Sequence, residues 1–393
     1  MKKKLFLLSL LVLGLLSGCV VKQKGLPVKP LKGIKDNQEV KKLDSNLDNS
    51  LNLLDELYED DNIMISPLSL NLALGLVGNG ASANTKEVLE GYLSNNLNSF
   101  NEFSENYTAN LPKTIEIANG LWVDKKYTLN KETESKMKNF YSTDIQSIEF
   151  SKNPTDKINS WVSDKTHKMI PKVVDNVSQL SAIAVNALYF KDSWKEPFEE
   201  YQVNEEDFTL FDGTTQKVDM MSSSEGVYYE NDKATAFGKR YETEGYTFVG
   251  VLPNEEGDFS VSDLNLNSLM ENIQYTDVDV KFPKFEFNCS LSLKDALKSI
   301  GLESVFDSNA INNLVNENIF TIDEILQDTK VIVNEEGTEA AAVTSILMVD
   351  GCAISEEEPE IKEVYLDRPF VFMIWDENNK VPLFIGKVVN PKN

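Results

Sequence analysis

Histidine is almost absent from this chain, and cysteine and basic residues are scarce. Its 393 residues include one His and three Cys, and 63 Asp and Glu outnumber 38 Lys and Arg. A Ser-His-Asp or Cys-His catalytic site needs a histidine as the base, so His167 is the only candidate. It follows an amphipathic helix predicted from Lys157 and precedes Pro171, which is typical of a surface bystander. We therefore predict a protein that is not an enzyme.

Motifs for other chemistry are missing as well. We find no nucleophile elbow, no glycine loop that could bind phosphate and no paired metal ligands. The formal charge of -25 repels polyanions, and residues 87–103 are acidic or neutral. Nucleic acid and heparin-like polysaccharide are thus excluded as expected partners. No metal and no cofactor is expected.

The three cysteines do not form a disulfide framework. Cys289 lies in a strand-like context and is most simply a small buried hydrophobic residue. Cys352 lies in a long loop and should be exposed. A disulfide between the two would need a chance agreement of geometry.

The N-terminus predicts export. Three lysines precede an apolar run over residues 5–16, which has the charged start and short hydrophobic core of a secretory signal. The run ends in LSGC, which resembles the bacterial lipobox and implies cleavage before Cys19 and lipid attachment there. An alternative is a plain signal peptide with an incidental cysteine. We assign residues 1–18 to a lipoprotein signal peptide, whose removal deletes three lysines and takes the charge from -25 to -28, and residues 19–44 to a tether.

The remaining residues can bury a large core. The composition, 41% hydrophobic with 13 Pro and 19 Gly, allows one large domain, and no break near the middle suggests two. Apolar periodicity predicts helices at 47–58, 68–77, 85–93, 131–140, 155–169 and 293–300. It predicts strands at 114–123, 182–190, 248–252, 278–287 and 330–334, and a pair near the C-terminus.

Residues 333–344 are the most informative segment. Residues 330–334 alternate like a half-buried strand, Gly337 permits a turn, and small residues follow. In a strand after Gly337, Thr338, Ala340, Ala342 and Thr344 would share one face. None of them is bulky or charged, as is required of a strand that inserts over a packed core. An Ala-rich helical turn or a flexible linker is the alternative on these residues alone.

Five ordered segments resemble the serpin family of protease inhibitors. Residues 335–342 (EEGTEAAA) resemble the serpin hinge, and 365–372 (YLDRPFVF) with 382–391 (PLFIGKVVNP) resemble the C-terminal signature. The other similar segments are 62–74 (NIMISPLSLNLAL) with 84–87 (NTKE), 186–194 (NALYFKDSW), and 282–285 (FPKF) with 293–302. The resemblance runs from about residue 45 to the end, which defines a serpin domain at 45–393.

The resemblance implies an α+β fold and suicide inhibition. Serpins combine a large central, mostly antiparallel sheet with smaller sheets, about nine helices and an exposed reactive loop, here about residues 337–360. A serine or cysteine protease attacks the loop and forms an acyl-enzyme, and the cleaved loop then inserts into the sheet and traps the protease. The hinge residues are Glu335, Gly337, Thr338, Glu339, Ala340, Ala341 and Ala342.

Further site residues come from the same resemblance. Gln327 occupies a position where many serpins have a histidine that contacts shutter residues, here Ser66, Ser69 and Asn186. Because Gln also donates and accepts hydrogen bonds, the contact should persist without pH dependence. Trp194 should lie at the breach, where the loop first enters, and is equally explained as a core tryptophan.

The family spacing places the scissile bond at Gly351-Cys352. Residues 331–361 contain no Lys or Arg, so proteases specific for basic residues should find no site. Small residues around Cys352 suit elastase-like or subtilisin-like proteases. A bond at Asp350-Gly351 would instead suit acid-specific or caspase-like proteases. The glutamates at 356–358 and 360 would favour proteases that have a basic rim on the leaving-group side of the active site. Alternatively, they serve only to keep the protein soluble.

We therefore predict a monomeric inhibitor, lipid-anchored outside the cytoplasm of a bacterium, that forms a covalent complex with its target protease. The alternative is a non-inhibitory binding protein on the same fold.

Overall fold

The computed structural model describes residues 44–317, 319–338 and 361–392. These residues form eight α-helices: α1 Asp44–Leu57, α2 Pro67–Gly78, α3 Ala83–Tyr92, α4 Leu97–Ala109, α5 Lys131–Tyr141, α6 Thr155–Lys165, α7 Leu266–Glu271 and α8 Lys294–Leu297. None of these helices has the length and apolar character that a membrane crossing requires.

The same residues form eighteen strands. They are β1 Ile63–Ile65, β2 Ile115–Asp124, β3 Asp144–Ile148, β4 Ala182–Phe190, β5 Asp192–Ser193, β6 Val203–Thr209, β7 Thr215–Glu225, β8 Tyr228–Glu230, β9 Ala234–Arg240, β10 Tyr246–Pro253, β11 Ile273–Gln274, β12 Val278–Pro283, β13 Phe285–Ser292, β14 Glu324–Val333, β15 Gly337–Thr338, β16 Lys362–Tyr365, β17 Phe370–Asp376 and β18 Val381–Val388.

The strands belong to three sheets. The central sheet has the order β3-β2-β4-β14-β15-β5, and β13 pairs with β14. Within it, β2 with β3 and β4 with β14 are parallel, and the other pairings are antiparallel. The second sheet has the order β1-β18-β17-β10-β9-β8-β11, and the third has the order β16-β12-β7-β6. The fold is the predicted α+β fold, with a large, mostly antiparallel central sheet and smaller sheets.

Helix α2 is the buried centre of the fold. Pro67 occupies its first turn, and the Ser66 side chain caps it by accepting from the backbone N–H of Ser69 at 3.4 Å. All twelve residues are buried, as expected for a helix that is apolar on every side. The N-terminal end of α2 is therefore buried and capped.

Apolar side chains cover both faces of the central sheet. One face joins the main core, where Phe248 lies 5.3 Å from Phe282 between ring centroids. The other face packs under α6 around Trp122, Phe150 and Ile158. Any strand that enters this sheet must fit between two packed layers.

The predicted helices and strands have the correct type, but several of their boundaries differ from those in the structure. The predicted strand at 278–287 is two strands, β12 and β13, and the one at 330–334 is the end of the longer β14. The helix predicted at 155–169 ends at Lys165. Helix α4 was not predicted, because its apolar face is interrupted by Asn101 and Ser104, which are nevertheless buried.

Candidate functional site

The central sheet divides where β4 and β14 separate, and we call this place the fork. The two strands pair in parallel from Ile183 opposite Glu324 to Ala187 opposite Asp328. Beyond this point β15 lies on the same side of β14, antiparallel, with Thr338 opposite Val333. It also pairs with β5, where Gly337 lies opposite Ser193. In the described part of the chain, no strand pairs with this side of β14 between these two regions.

The hinge begins with a tight turn made by Asn334. Its Oδ1 accepts from the backbone N–H of Glu336 at 3.0 Å and of Gly337 at 3.2 Å. Its own N–H donates to the carbonyl of Gly337 at 3.0 Å. The turn was predicted at Gly337, whereas it is made by Asn334, a residue type that is typical of turns. Gly337 is a strand residue instead.

Close packing explains the glycine at 337. A Cβ there would collide with the carbonyl oxygen of Asp192 and lie 2.7 Å from the Cα of Ser193. Both are backbone atoms and cannot move aside as a flexible side chain could. Gly337 thus lets β15 approach β5 closely enough to pair.

Thr338 is already buried in the sheet. It is 2% exposed, and its Oγ1 lies 2.6 Å from the hydroxyl of Tyr241. Burial raises the pKa of Tyr241, so this phenol is neutral. The exposed reactive loop was expected from about residue 337, and this boundary was wrong, because Gly337 and Thr338 are both buried strand residues.

Trp194, the residue directly after β5, holds the turn through two hydrogen bonds. Its Nε1 donates to the carbonyl of Asn334 at 2.8 Å, and its backbone N–H donates to that of Glu336 at 2.8 Å. Its ring is 1% exposed and stacks on Tyr241 with 4.8 Å between centroids. Trp194 is therefore a core residue that contacts the hinge turn, and its assignment to the breach stays a prediction.

Glu335 anchors the hinge to two neighbouring loop residues. Its carbonyl accepts from the N–H of Phe198 at 2.8 Å, and its carboxylate lies 2.8 Å from the ammonium of Lys284. Burial alone would raise the pKa of Glu335, but the hydrogen bond and charge of Lys284, with a backbone N–H, outweigh it and hold the pKa below its ordinary value. Glu335 is therefore ionised and paired near neutral pH.

Gln327 contacts the backbone of Ser66. Its Oε1 accepts from the N–H of Ser66 at 2.8 Å, and its Nε2 donates to the carbonyl of Ser66 at 3.0 Å. Gln327 thus reaches Ser66 through the main chain, and it lies opposite Asn186 in the pairing of β14 with β4. The two reciprocal hydrogen bonds join β14 to the start of α2.

The side chain of Asn186 forms a hydrogen bond to the neighbouring strand of the sheet, β2. Its Nδ2 donates to Oδ1 of Asn119 at 2.5 Å, so Asn119, Asn186 and Gln327 form a row across β2, β4 and β14. Asn119 was not among the predicted site residues. Asn186 Oδ1 and Ser69 Oγ are buried and have no hydrogen-bond partner among the described residues. These unpaired atoms make the row below the fork less stable than a fully satisfied network.

Several predicted site residues lie outside the described residues. They are Cys19, Glu339, Ala340, Ala341, Ala342, Asp350, Gly351 and Cys352. Of the others, His167 is exposed on a loop, with Nε2 2.8 Å from a Glu116 carboxylate oxygen. Cys289 is 8% exposed, and burial raises the pKa of its thiol to about 11.

Comparisons with known proteins agree with this geometry. The family model described as "Serpin (serine protease inhibitor)" matches residues 44–391. A "Serine protease inhibitor" of Cyanea capillata is 30% identical and covers 84% of this chain and 93% of its own length. The native-state crystal structure of the thermophilic serpin tengpin has a TM-score of 0.82 at 29% identity, covering 91% of this chain and 96% of its own. The crystal structure of human thyroxine-binding globulin complexed with thyroxine has a TM-score of 0.78 at 25% identity, covering 89% of this chain and 98% of its own.

Proposed function

The chain belongs to the serpin family, and we propose that it is a suicide inhibitor of serine or cysteine proteases rather than an enzyme. Members of this family form complexes with target proteases. The observation that carries the proposal is the position of Thr338, which lies in the central sheet at the open end of the fork. Insertion therefore has a defined start and a defined direction.

The pairing of Thr338 with Val333 predicts the register of the inserted loop. Continued antiparallel to β14, the loop would bring Ala340 opposite Val331 and Ala342 opposite Thr329. Val331 and Thr329 are 3% and 1% exposed. The inserted residues at these two positions are alanines, so they would enter without overpacking the core.

Further insertion requires the fork to open. Val343 would come opposite Asp328, whose present partner on that side is Ala187. Roughly ten inserted residues that form two ladders, at about 0.5 to 1.5 kcal/mol per hydrogen bond, would supply on the order of 10 kcal/mol. Because a whole domain is stable by about 5 to 15 kcal/mol, the uncleaved state would be metastable and retained by a kinetic barrier.

We propose elastase-like or subtilisin-like proteases as targets, with cleavage at Gly351-Cys352. Acid-specific or caspase-like proteases acting at Asp350-Gly351 are the alternative. Incubation with each class, followed by a denaturing gel and intact mass, tests both, because the released C-terminal peptide identifies the bond. We expect a covalent complex and a large rise in the melting temperature of the cleaved chain.

Variants test whether insertion drives inhibition. Thr338→Arg should turn the inhibitor into a substrate, because an arginine cannot occupy the buried position beside Tyr241. Thr215→Arg is the matched control, since Thr215 is exposed on β7. Cleavage of the unaltered chain without a covalent complex and without a gain in melting temperature would contradict the proposal.

A non-inhibitory binding protein is the second candidate. It is favoured by the similarity to thyroxine-binding globulin, whose structure contains thyroxine. The same incubation distinguishes the two, since the protease would cleave a carrier and then dissociate without forming a covalent complex.

We further propose a monomer outside the cytoplasm of a bacterium, anchored by lipid on Cys19. Detergent-phase partitioning of the full chain, compared with Cys19→Ser, tests the anchor. Light scattering after chromatography tests the monomer.

A further inference from the structure

Residues 166–178, which follow α6, pack on the central sheet at the fork, and we call them the strap. Three strap residues belong to one buried apolar cluster with residues of β4, and they are Ile170, Val174 and Val177. Leu326 of β14 packs against the same cluster. The cluster thus spans the two strands that the proposed insertion would separate. Opening of the fork therefore breaks these contacts unless the strap shifts.

Polar side chains of α6 and of the loop before it hold the backbone of the strap. Asn159 on α6 accepts from the N–H of Val173 at 2.8 Å and of Val174 at 3.0 Å, and it donates to the carbonyl of Val174 at 2.9 Å. Asn153, which precedes α6, accepts from the N–H of Val177 at 2.9 Å. The strap and α6 therefore form one layer over the sheet.

His167 joins this layer to the sheet. Its Nε2 lies 2.8 Å from Oε1 of Glu116 on β2, and its ring lies 4.7 Å from that of Tyr189 on β4 between centroids. Glu116 and Tyr189 lie opposite each other in the pairing of β2 with β4. Tyr189 is two residues beyond Ala187, the last residue of β4 that pairs with β14. The contact therefore lies at the open end of the fork.

The turn that carries His167 is strained. His167 and Lys168 both have a left-handed backbone, with φ of 50° and 68°, which side chains other than glycine rarely adopt. The turn is held by the N–H of Lys168, which donates to the carbonyl of Ser163 at 2.6 Å, and by Oγ1 of Thr166, which accepts from the N–H of Ile170 at 3.2 Å. Strain of this kind persists only where surrounding contacts impose it, and it is found in segments that switch. Release of the strap would relieve it.

The contact between His167 and Glu116 depends on charge. Histidine is the side chain whose ordinary charge change falls between about pH 5 and 8, so the ion pair forms only when the imidazole carries a proton. From the two strands packed against it, Glu116 and Tyr189 face the ring. The charged residues next to it in the chain are Asp164, Lys165 and Lys168. The His167 and Glu116 side chains are 52% and 47% exposed, so we expect the pair to change the opening equilibrium of the strap by about two- to fivefold.

We propose that the strap is a pH-sensitive gate on loop insertion, which closes as His167 gains a proton and pairs with Glu116. This regulation rests on the proposed inhibitory function, because it acts on the insertion step. Acid slows insertion, so a larger fraction of chains is cleaved without trapping the protease.

Amide hydrogen exchange of the full chain tests the gate without any protease. After correction for the intrinsic pH dependence of exchange, protection of the strap should rise from pH 7.5 to pH 5.5 by about two- to fivefold more in the parent than in Glu116→Gln. His167→Gln should behave like Glu116→Gln, and the double variant should lose no more than either. Asp328 affects stability over part of this range, and the comparison cancels its effect because every variant retains it. Equal pH dependence in the parent and both variants would overturn the proposal.

A matched control removes another carboxylate from the central sheet. Glu286 on β13 lies 2.8 Å from the ammonium of Lys330, and lysine keeps its charge across this range. Glu286→Gln should therefore keep the pH dependence of the parent strap. Loss of that dependence in Glu286→Gln would contradict the assignment to His167 and Glu116, and melting temperatures verify that the variants fold.

The strained turn has its own test. Lys168→Gly should slow exchange of the strap at both pH values, because glycine adopts a positive φ without strain. Lys168→Ala removes the same charge and keeps the strain, so its strap should exchange as in the parent. Equal exchange in these two variants would contradict a strained turn.

A synthetic peptide with the sequence of residues 339–349 tests insertion itself. Its association rate with the uncleaved chain, followed by fluorescence anisotropy, should fall from pH 7.5 to pH 5.5 by about two- to fivefold more in the parent than in Glu116→Gln. An equal fall in both chains would show that the strap does not gate insertion. Absence of peptide binding at either pH would contradict the proposed function, and the exchange measurement would still decide whether the strap closes in acid.

Discussion

The hydroxyl of Tyr241 lies 2.6 Å from Oγ1 of Thr338, although the two residues are 97 positions apart. This contact joins β15 to the residue that follows β9 and fixes the buried threonine of the hinge. Because Tyr241 also stacks on Trp194, one aromatic pair supports both the turn at Asn334 and the strand that follows it.

Removing this hydroxyl should loosen the hinge. We expect Tyr241→Phe to lower the free energy of unfolding by about 1 kcal/mol, since the buried Thr338 hydroxyl loses its partner. Thr338→Val should cost less in the Tyr241→Phe background than alone, and urea unfolding of the four chains gives the coupling. Tyr228→Phe is the control, because the Tyr228 hydroxyl makes a longer bond of 3.1 Å to Glu230 near the surface. Purely additive losses would show that the contact contributes nothing.

A methyl group at residue 337 should displace β15. Gly337→Ala places a Cβ against the backbone of Asp192 and Ser193, so we expect a loss of about 1 to 3 kcal/mol in urea unfolding. The matched control is Gly91→Ala in α3, where a Cβ meets no atom within 4 Å and the alanine should stabilise by about 0.5 to 1 kcal/mol. A Gly337→Ala chain as stable as the parent would contradict the observed packing of β15.

Asp328 at the fork should make stability depend on pH. It is 2% exposed, its Oδ1 has no hydrogen-bond partner, and burial raises its pKa from 3.8 to about 6, partly offset by a hydrogen bond from Ser290. Between pH 3.8 and about 6, the folded chain therefore keeps a proton on Asp328 that the unfolded chain has released. The stabilisation from this protonated carboxyl group is complete below pH 3.8 and is lost as the pH rises to about 6. Above this range the free energy of unfolding should be lower by about 3 kcal/mol.

Asp328→Asn should remove this dependence. We expect the variant to be more stable than the parent at pH 8, by up to about 3 kcal/mol, and to match it more closely at pH 4. Asp295→Asn is the control, because the Asp295 side chain is 98% exposed. Urea midpoints measured from pH 4 to pH 8 decide the point, and parallel profiles for Asp328→Asn and the parent would refute it.

The Cys289 thiol should resist alkylation. Burial raises its pKa from 9.0 to about 11, so its thiolate fraction at pH 8 is about a hundredfold below that of an ordinary thiol. Mass spectrometry after iodoacetamide treatment of the folded chain should find Cys289 unmodified, and modification should follow after unfolding in urea. Cys289→Ala identifies the peptide, and rapid labelling of Cys289 in the folded chain would disagree with its burial.

Sequence patterns predicted the helices and strands whose apolar period is clear. The predominantly apolar helix near residue 70 and the predominantly apolar strand at 182–190 follow directly from residue type, because such segments must be buried. Helix α4 could not be predicted in this way, since Asn101 and Ser104 occupy its buried face. Their burial depends on partners from elsewhere, such as the Tyr141 hydroxyl that donates to Asn101 at 2.6 Å.

The candidate site shows the same division. The small residues after Gly337 predicted a segment suited to insertion, because side-chain size is a property of sequence alone. The row of Asn119, Asn186 and Gln327 depends on the register of three strands, which no local pattern specifies.

The sequence by itself determined the small side chains that suit the proposed insertion: a glycine, a threonine and, after Glu339, a run of alanines. Only the tertiary structure decided that Thr338 already lies in the central sheet, because its pairing with Val333 and its contact with Tyr241 bring together β14, β15 and the residue that follows β9. Side-chain size is local, whereas strand register and buried hydrogen bonds exist only once distant segments have packed.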